Sequence, residues 1–247
     1  MDLFSGRRRA LGRGAALFAA GAISPARFER LYAARGGVPG WMRSLFERPS
    51  DDPLRISAAS APLLLNLLWP LGLTNRTSFN KRSPLASGAD RGKFASTGGW
   101  RLGDQSGGEL FNSAEIVTLD AAAEAAVERA ARASFRPCCD NSALFQDCNH
   151  GSALLGLYQL AAAQGADAAE LFRIGKLVNS YWYPQQYVAA AIYFRGFENL
   201  GWSEVEPVRL MGQRYSSASG WRRNVDARLR STGLRRDADP SDGSCSI

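Results

Sequence analysis

Apolar residues recur at helical spacing along most of the chain and rarely alternate as they do in a half-buried strand. Ser24-Pro25 and Ser60-Ala61-Pro62 are helix-start signals, because serine caps an N-terminus and proline is tolerated in the first turn. The pattern predicts helices over 24–35, 40–46 and 62–73 in the first half of the chain. The segment 115–119, EIVTL, is the only strand candidate.

The second half of the chain has stronger helical signals. Thr118, Asn149 and Asp167 are predicted N-caps, and Asp167 stands three residues before Glu170 as in a capping box. The predicted helices cover 119–134, 150–165, 168–182, 185–200, 203–211 and 219–230. The sequence therefore predicts an all-α single domain of about seven to nine helices.

The stretch of about 74–111 interrupts this pattern. It has little periodicity and is rich in glycine, serine, asparagine and arginine, which predicts a long Gly/Ser-rich loop. Loops of this length inside a domain are usually functional or disordered. Phe79, Phe94 and Trp100 indicate that part of it packs against the body.

Length and composition favour an ordinary globular protein. The chain has 247 residues, of which 45% are hydrophobic and 21% are charged, so it can bury a full core. Four cysteines are too few for a disulfide scaffold. We assign 23–230 to the all-α domain and expect the polar tail 231–247 to be disordered.

The net charge of +7 is concentrated near the two ends of the chain, in 1–22 and 222–236. A nucleic-acid-binding protein usually spreads its basic surface over the folded body and interleaves aromatic residues. The charge distribution therefore argues against nucleic acid as a partner. Oligomeric state cannot be inferred from these features.

Residues 1–22 contain Arg8-Arg9-Ala10-Leu11-Gly12-Arg13, followed by the short apolar run 15–23. This segment is similar to a twin-arginine signal peptide, and Ala20-Gly21-Ala22 has the form of a cleavage site. The resemblance implies export of the folded protein to the periplasm. The alternative is an amphipathic helix on a cytoplasmic protein. Apart from this segment, no stretch is predicted to be a transmembrane helix.

The segment 136–151, RPCCDNSALFQDCNHG, contains three of the four cysteines and the only histidine. It is predicted to be a loop that ends at the N-terminus of a helix. The helix dipole there stabilises negative charge, which favours a thiolate at Cys148 and a neutral imidazole at His150. Cys245 lies in the polar tail and is not expected to take part.

Three interpretations of this segment remain open. In the first, Cys138, Cys139, Cys148 and His150 bind zinc, copper or iron, with Asp147 as a substitute ligand. Because neighbouring side chains in extended backbone point to opposite faces, the adjacent cysteines can share an ion only if the chain turns between Pro137 and Asn141.

The second interpretation is a thiol-dependent redox protein or enzyme. Cys148 would be the catalytic nucleophile, His150 its base, and Cys138 or Cys139 the resolving thiol. The third is a non-catalytic structural or interaction protein, in which a disulfide from Cys148 to Cys138 or Cys139 closes the loop. We favour an exported metal-binding protein. Whether it is an enzyme is left open.

The aromatic stretch 179–187 is a candidate wall for a pocket that binds a small molecule. The alternative is a corner of the core in which hydroxyl and amide groups satisfy each other. The candidate lining residues are Trp100, Asn179, Tyr181, Tyr183, Gln185 and Gln186.

Overall fold

The computed structural model describes residues 14–47, 54–87 and 91–235. These residues form an all-α domain, as predicted. The helices are α1 Gly14–Ala19, α2 Pro25–Tyr32, α3 Gly40–Glu47, α4 Ala61–Thr74, α5 Ala95–Gly98, α6 Gly107–Leu110, α7 Ala121–Ala133, α8 Asn149–Ala162, α9 Ala168–Trp182, α10 Pro184–Glu198, α11 Pro207–Met211, α12 Gln213–Ser216, α13 Ala218–Trp221 and α14 Ala227–Ser231. A π-helical segment, Arg222–Asp226, joins α13 to α14.

Seven of the helices in the described ranges have eight or more residues, which agrees with the predicted number. Three predicted starts are displaced. Asp120 rather than Thr118 caps α7, and Cys148 rather than Asn149 caps α8. The helix predicted from Ser203 begins only at Pro207. In the first case the Asp120 carboxylate accepts from a backbone N–H at 2.8 Å, whereas the Thr118 hydroxyl donates to a glutamate.

Helix α4 is the most apolar element and lies at the centre of the fold. Thirteen of its fourteen residues are buried, although it contains Pro70 and Asn66. The rest of the domain covers this helix on all sides, which explains the lack of a polar face. Within the described residues, no helix is long and apolar enough to cross a membrane.

Glycines allow α4 and α8 to pack backbone to backbone. A Cβ added at Gly72 would lie 1.9 Å from the carbonyl oxygen of Ser152, and one at Gly156 would lie 2.4 Å from that of Leu68. Only hydrogen can occupy these positions without moving the helices apart. Because Ser152 is one turn from Cys148, this contact also positions the end of α8 that carries the cysteine.

The described part of the segment predicted as a long loop, without residues 88–90, packs closely and contains only short helical elements. Besides α5 and α6 it contains the 3₁₀ helices Asn80–Arg82, Pro84–Ser87 and Arg91–Lys93. Phe79 and Trp100 are buried, and Phe94 packs edge-on against Phe145. All three aromatic residues therefore anchor the segment, as expected.

A buried asparagine organises the stretch that was the strand candidate. The Asn75 Oδ1 atom accepts from the backbone N–H groups of Ile116 and Val117, both at 2.8 Å. Its Nδ2 atom donates to Gln159 on α8 at 2.7 Å. An isolated bridge links Asn75 to Ala114, and the described part of 115–119 forms no strand. The Asn75 side chain thus satisfies backbone N–H groups that a neighbouring strand would satisfy in a β-sheet.

The first thirteen residues, with the paired arginines, lie outside the described part of the chain. The apolar run that follows packs into the domain: Leu17, Ala22 and Ile23 are buried. The Ala22 carbonyl accepts from the Trp100 indole, and the Gly21 carbonyl from the backbone of Asp104. The candidate cleavage site is therefore part of the fold. Export remains a prediction.

Candidate metal centre

The cysteine segment connects α7 to α8 and begins with a tight turn. The backbone N–H of Cys139 donates to the carbonyl of Arg136 at 3.3 Å, with Pro137 at the second position of the turn. Proline favours this position because its fixed φ suits the turn. The turn overcomes the opposite orientation expected for adjacent cysteines, so both face Cys148.

Three sulfur atoms meet at this turn. The Sγ atoms of Cys138 and Cys148 are 3.6 Å apart, those of Cys139 and Cys148 are 3.8 Å apart, and those of the adjacent pair are 3.9 Å apart. All three side chains are partly buried. In the described part of the chain, they form a group whose ligand atoms lie within 4.8 Å of one another and can hold a metal ion.

Arg136 lies beneath the sulfurs and is completely buried. Its Nε and Nη2 atoms each donate to Cys148 Sγ at 3.3 Å. Nη2 also donates to Asp147 Oδ1 at 2.7 Å, and Nη1 donates to the Asn141 carbonyl at 2.7 Å. A buried guanidinium is stable only when anions and acceptors replace its water. The planar fork of the guanidinium therefore couples the thiol to the carboxylate.

The negative charge of the sulfur cluster rests on Cys148. Hydrogen bonds from Cys138 and Cys139 lower the pKa of Cys148 well below its ordinary value and outweigh the effect of burial. The positive charge of Arg136 acts in the same direction. The pKa of Cys139 is raised to about 12. The hydrogen bond with Cys138 lowers this pKa, but the hydrogen bond with Cys148 and burial raise it by more. Cys148 is thus the thiolate and Cys139 a donor to it.

The N-terminus of α8 adds to this stabilisation. Cys148 is the N-cap, and its sulfur accepts from the backbone N–H of Gly151 at 3.4 Å. The positive end of the helix dipole favours a thiolate at this position. A Cβ on Gly151 would lie 2.5 Å from Arg136 Nη2. The glycine therefore provides the space for the guanidinium.

Tyr183 completes the inner surface of the centre. Its hydroxyl donates to Cys138 Sγ at 2.9 Å. Burial raises the pKa of Tyr183 well above its ordinary value, and the negative charge of Cys148 acts in the same direction. The phenol therefore stays protonated and remains a donor to sulfur.

His150 lies beside the sulfurs but does not join them. It is not in the group of ligand atoms that lie within 4.8 Å of one another. Its ring centroid lies 4.8 Å from that of Tyr183 and 5.8 Å from that of Trp182, and its Nδ1 lies 3.0 Å from Asn149 Oδ1. Successive helical residues are rotated by about 100°, so positions two apart point to nearly opposite sides. The structure therefore brings together three of the four predicted ligands and does not pair His150 with Cys148.

The surroundings of His150 predict an acid-sensitive stability. Burial lowers the pKa of His150 to about 4, and the charge of Arg136 adds to this effect, while Cys148 opposes it. Between about pH 6.5 and 4 the unfolded chain binds a proton here that the native protein does not, so the free energy of unfolding falls as pH falls. We expect His150→Gln to remove about 3 kcal/mol of this change. Urea unfolding of the metal-free protein across this pH range measures it, and equal slopes for both proteins would contradict it.

The loop that carries the cysteines is fixed from two sides. The backbone N–H of Ala218 donates to the Cys139 carbonyl at 3.0 Å, and that of Ser219 donates to the Asp140 carboxylate at 2.7 Å. On another side, the Ser96 hydroxyl donates to the Gln146 carbonyl. The sulfur cluster is therefore held by α13 and α5 as well as by its own loop.

The sulfur distances also bear on the two thiol interpretations. A disulfide bond is about 2.05 Å long, so none of the three described cysteines is in a disulfide in this structure. Cys245 lies outside the described residues. Cys148 nevertheless has two thiols within reach of a bond after a small movement.

The residues predicted to line a pocket are dispersed in the structure. Tyr181 borders a cavity next to His150, whereas Tyr183 faces the sulfurs. Trp100 packs on Trp69, and Asn179 is buried and donates weakly to Phe135 and Met211. Gln185 is exposed and Gln186 is partly exposed at the start of α10. One side chain of the predicted wall therefore borders this cavity.

Arg136 is the functional residue that sequence reasoning missed. The chain is rich in arginine, and almost nothing in the sequence distinguishes this buried arginine from the exposed ones. The only local hint is its position directly before Pro137 and the cysteine pair, with Asp147 directly before Cys148. Its charge complements those of the carboxylate and the thiolate.

No family model matches this chain, and neither a curated protein nor a solved structure matches it. Function must therefore be inferred from the cysteine centre.

Proposed function

We propose that this protein binds one thiophilic d¹⁰ metal ion, Cu(I) or Zn(II), through the thiolates of Cys138, Cys139 and Cys148. The observation that carries the proposal is the mutual spacing of the three sulfurs, 3.6, 3.8 and 3.9 Å. Zinc–sulfur bonds of about 2.3 Å in a tetrahedral shell place neighbouring sulfurs about 3.8 Å apart. Small adjustments of the side chains are enough to ligate the ion.

The charges around the cluster suit a cation bound by thiolates. Three thiolates within 4 Å of one another repel strongly, and a metal ion removes this repulsion. The charges of Arg136 and Asp147 compensate each other in an ion pair. The negative charge of the thiolates is therefore available to neutralise the metal ion. The N–H groups that reach Cys148 Sγ from Arg136 and Gly151 correspond to the outer-shell donors that orient metal ligands.

Three protein ligands favour a site with an open position. Closed structural zinc sites use four protein ligands, whereas catalytic zinc sites use three and leave the fourth position to water or substrate. A trigonal set of thiolates also suits Cu(I), because soft sulfur ligands select soft ions. The partial burial of the three cysteines leaves a route for the ion. We propose metal transfer or sensing rather than structural binding.

The test is metal binding to the reduced full-length chain under anaerobic conditions. We expect one Cu(I) or Zn(II) per chain in competition with a chelator. X-ray absorption should show three sulfur ligands, at about 2.3 Å for zinc. Substitution of any one of the three cysteines by serine should weaken binding by more than about 100-fold, beyond the usual effect of losing an outer-shell partner.

The matched control is Cys245→Ser, which removes a thiol outside the described residues and should leave affinity unchanged. Circular dichroism verifies that each variant is folded. The proposal fails if wild type binds neither ion with unit stoichiometry. It also fails if the triple serine variant binds as tightly as wild type.

The second candidate is thiol–disulfide exchange, which the contact of Arg136 with Cys148 favours. The Cys148 thiolate would attack a disulfide substrate, and Cys138 or Cys139 would then attack the mixed disulfide. In total, one disulfide substrate gains two electrons and two protons and becomes two thiols, while two cysteines become a disulfide.

The two candidates differ in how many cysteines they need. Exchange uses Cys148 and one partner, so either Cys138→Ser or Cys139→Ser should leave it intact. Metal binding requires all three. Turnover of a model disulfide with glutathione as reductant, measured beside metal affinity in the same variants, separates them.

A further inference from the structure

A cavity of about 250 Å³ borders His150, and none of the three clustered cysteines lines it. Elements from across the fold meet around it: the end of α2, the first turns of α4, the N-terminus of α8 and the C-terminus of α9. The residues that bear on its chemistry are Tyr32, Arg35, Asn66, His150, Tyr181 and Trp182. Its volume lies just below the range of about 300–1,000 Å³ usual for ligand pockets, so it suits a small molecule.

Asn66 lines this cavity and carries an unsatisfied acceptor. The residue is only 2% exposed, and its Oδ1 atom has no hydrogen-bond partner among the described residues. The orientation of the amide follows from its neighbour: the Tyr32 hydroxyl donates to the Pro62 carbonyl at 3.1 Å and therefore accepts from Asn66 Nδ2 at 2.7 Å. A buried acceptor without a donor costs about 1–3 kcal/mol, which a ligand with an N–H or O–H group would recover.

His150 supplies a second acceptor. Asn149 Oδ1 accepts from the backbone N–H of His150 at 3.0 Å and lies 3.0 Å from Nδ1 of the ring. An acceptor at this distance places the ring proton on Nδ1, so Nε2 carries a lone pair. Two residues that line the cavity, Asn66 on α4 and His150 on α8, therefore each carry an acceptor.

The other residues select the rest of the ligand. Tyr181 and Trp182 provide aromatic walls for an apolar group, and the Trp182 indole is fixed by donating to the Ala61 carbonyl at 3.1 Å. Arg35 lies in the exposed part of the lining. A guanidinium in this position attracts a carboxylate, which it can bind through two parallel hydrogen bonds.

We propose that this cavity binds a small 2-hydroxy or 2-amino acid with an apolar side chain. Its hydroxyl or ammonium group donates to Asn66 and His150, its side chain packs on Tyr181 and Trp182, and its carboxylate pairs with Arg35. This site is separate from the proposed metal ligands and does not depend on them.

The test uses four probes that share a phenyl group: L-phenylalanine, 3-phenyllactate, 3-phenylpropionate and phenethylamine. Titration calorimetry on the full-length protein without metal should detect binding of one or both of the first two. Phenylpropionate lacks the donor and phenethylamine lacks the carboxylate, so each should bind at least about tenfold more weakly. The same result is expected in a Cys138→Ser, Cys139→Ser, Cys148→Ser protein, so loss of metal binding does not affect this test.

Two variants locate the ligand. Asn66→Leu should weaken binding of the preferred probe about tenfold. Arg35→Gln should reduce the difference in affinity between the preferred probe and phenethylamine, which lacks the carboxylate. Because Asn66→Leu also removes the contact with Tyr32, its fold is verified by thermal melting. Arg30→Gln, on the same helical segment but outside the lining, is the matched control. Lack of millimolar binding by both acids overturns the proposal, as does binding that neither Arg35→Gln nor a folded Asn66→Leu alters.

Discussion

Arg136→Met is expected to destabilise the protein by about 3–5 kcal/mol, the usual cost of removing one partner from a buried ion pair. The guanidinium is fully buried and bonds to Asp147, Cys148 and Asn141 at once. Methionine fills much of the volume but leaves the carboxylate and the thiolate without a cation. The cost therefore comes from uncompensated charge more than from lost packing.

The same substitution should change the chemistry of the centre. Without the guanidinium the pKa of Cys148 rises, because a nearby positive charge no longer favours the thiolate. Metal affinity should fall about 10- to 100-fold, as it does when an outer-shell partner is lost. Urea unfolding measures the stability, and the pH dependence of alkylation by iodoacetamide measures the thiolate.

Two further variants separate charge from geometry. Arg136→Lys keeps the charge but loses the planar fork, so it should be intermediate in both measurements. Arg132→Met removes an arginine whose side chain is 67% exposed in its pair with Glu128, and should cost less than about 1 kcal/mol. If Arg136→Met and Arg132→Met were equally stable, the buried guanidinium would not have the structural role described.

Gly72→Ala is expected to cost at least about 3 kcal/mol, at the upper end of overpacking effects or beyond it. The new Cβ would lie 1.9 Å from the Ser152 carbonyl oxygen and 2.8 Å from its carbon, both of which are backbone atoms. No side-chain rotation can relieve this contact, so α4 and α8 must separate. In a chain of this size the melting temperature should fall by roughly 6 °C or more.

The displacement should also reach the cysteine centre. The backbone N–H of Ser152 donates to the Cys148 carbonyl at 3.1 Å, so moving this turn of α8 moves the N-cap. We expect weaker metal binding even though Gly72 contacts none of the three sulfurs. Calorimetry and metal titration on the same preparation test both effects.

Gly40→Ala is the control for glycine replacement itself. A Cβ at Gly40, the first residue of α3, would have no heavy atom within 4 Å. Its stability should stay within about 0.5 kcal/mol of wild type, as for ordinary surface substitutions. Equal stability of Gly72→Ala and Gly40→Ala would contradict the close packing of the two helices.

Helix positions followed from local rules, so most of them could be predicted. Asp167 marks the start of α9 because its carboxylate accepts from the backbone N–H of Glu170 at 2.9 Å. At α2 the Ser24 side chain makes no cap hydrogen bond, and the start follows from Pro25, whose fixed φ suits the first turn. The displaced caps show the limit of this reasoning. At α8, both Cys148 and Asn149 can accept from a backbone N–H, and the position of Arg136 favours the cysteine.

The candidate site likewise has features that could be predicted from the sequence and features that could not. Cys138, Cys139 and Cys148 stand close together in the sequence, and Pro137 indicates the turn that brings them together. Helical rotation turns His150 away from Cys148, but the groups that His150 meets instead, Trp182 and Tyr183, depend on how α8 packs against the end of α9. The cavity beside His150 joins residues that are more than a hundred positions apart, such as Tyr32 and Trp182.

The sequence by itself determined the helical class, the main helix boundaries and the segment that carries the thiols, because capping, periodicity and turns act over a few residues. Only the tertiary structure decided that Arg136 is buried beneath the sulfurs, that His150 faces a separate cavity, and that Tyr183 rather than His150 approaches Cys138. These outcomes depend on how α4, α8 and α9 pack. The free-energy cost of burying a charge or an unsatisfied amide depends on the groups packed around it, and these are set by the tertiary structure.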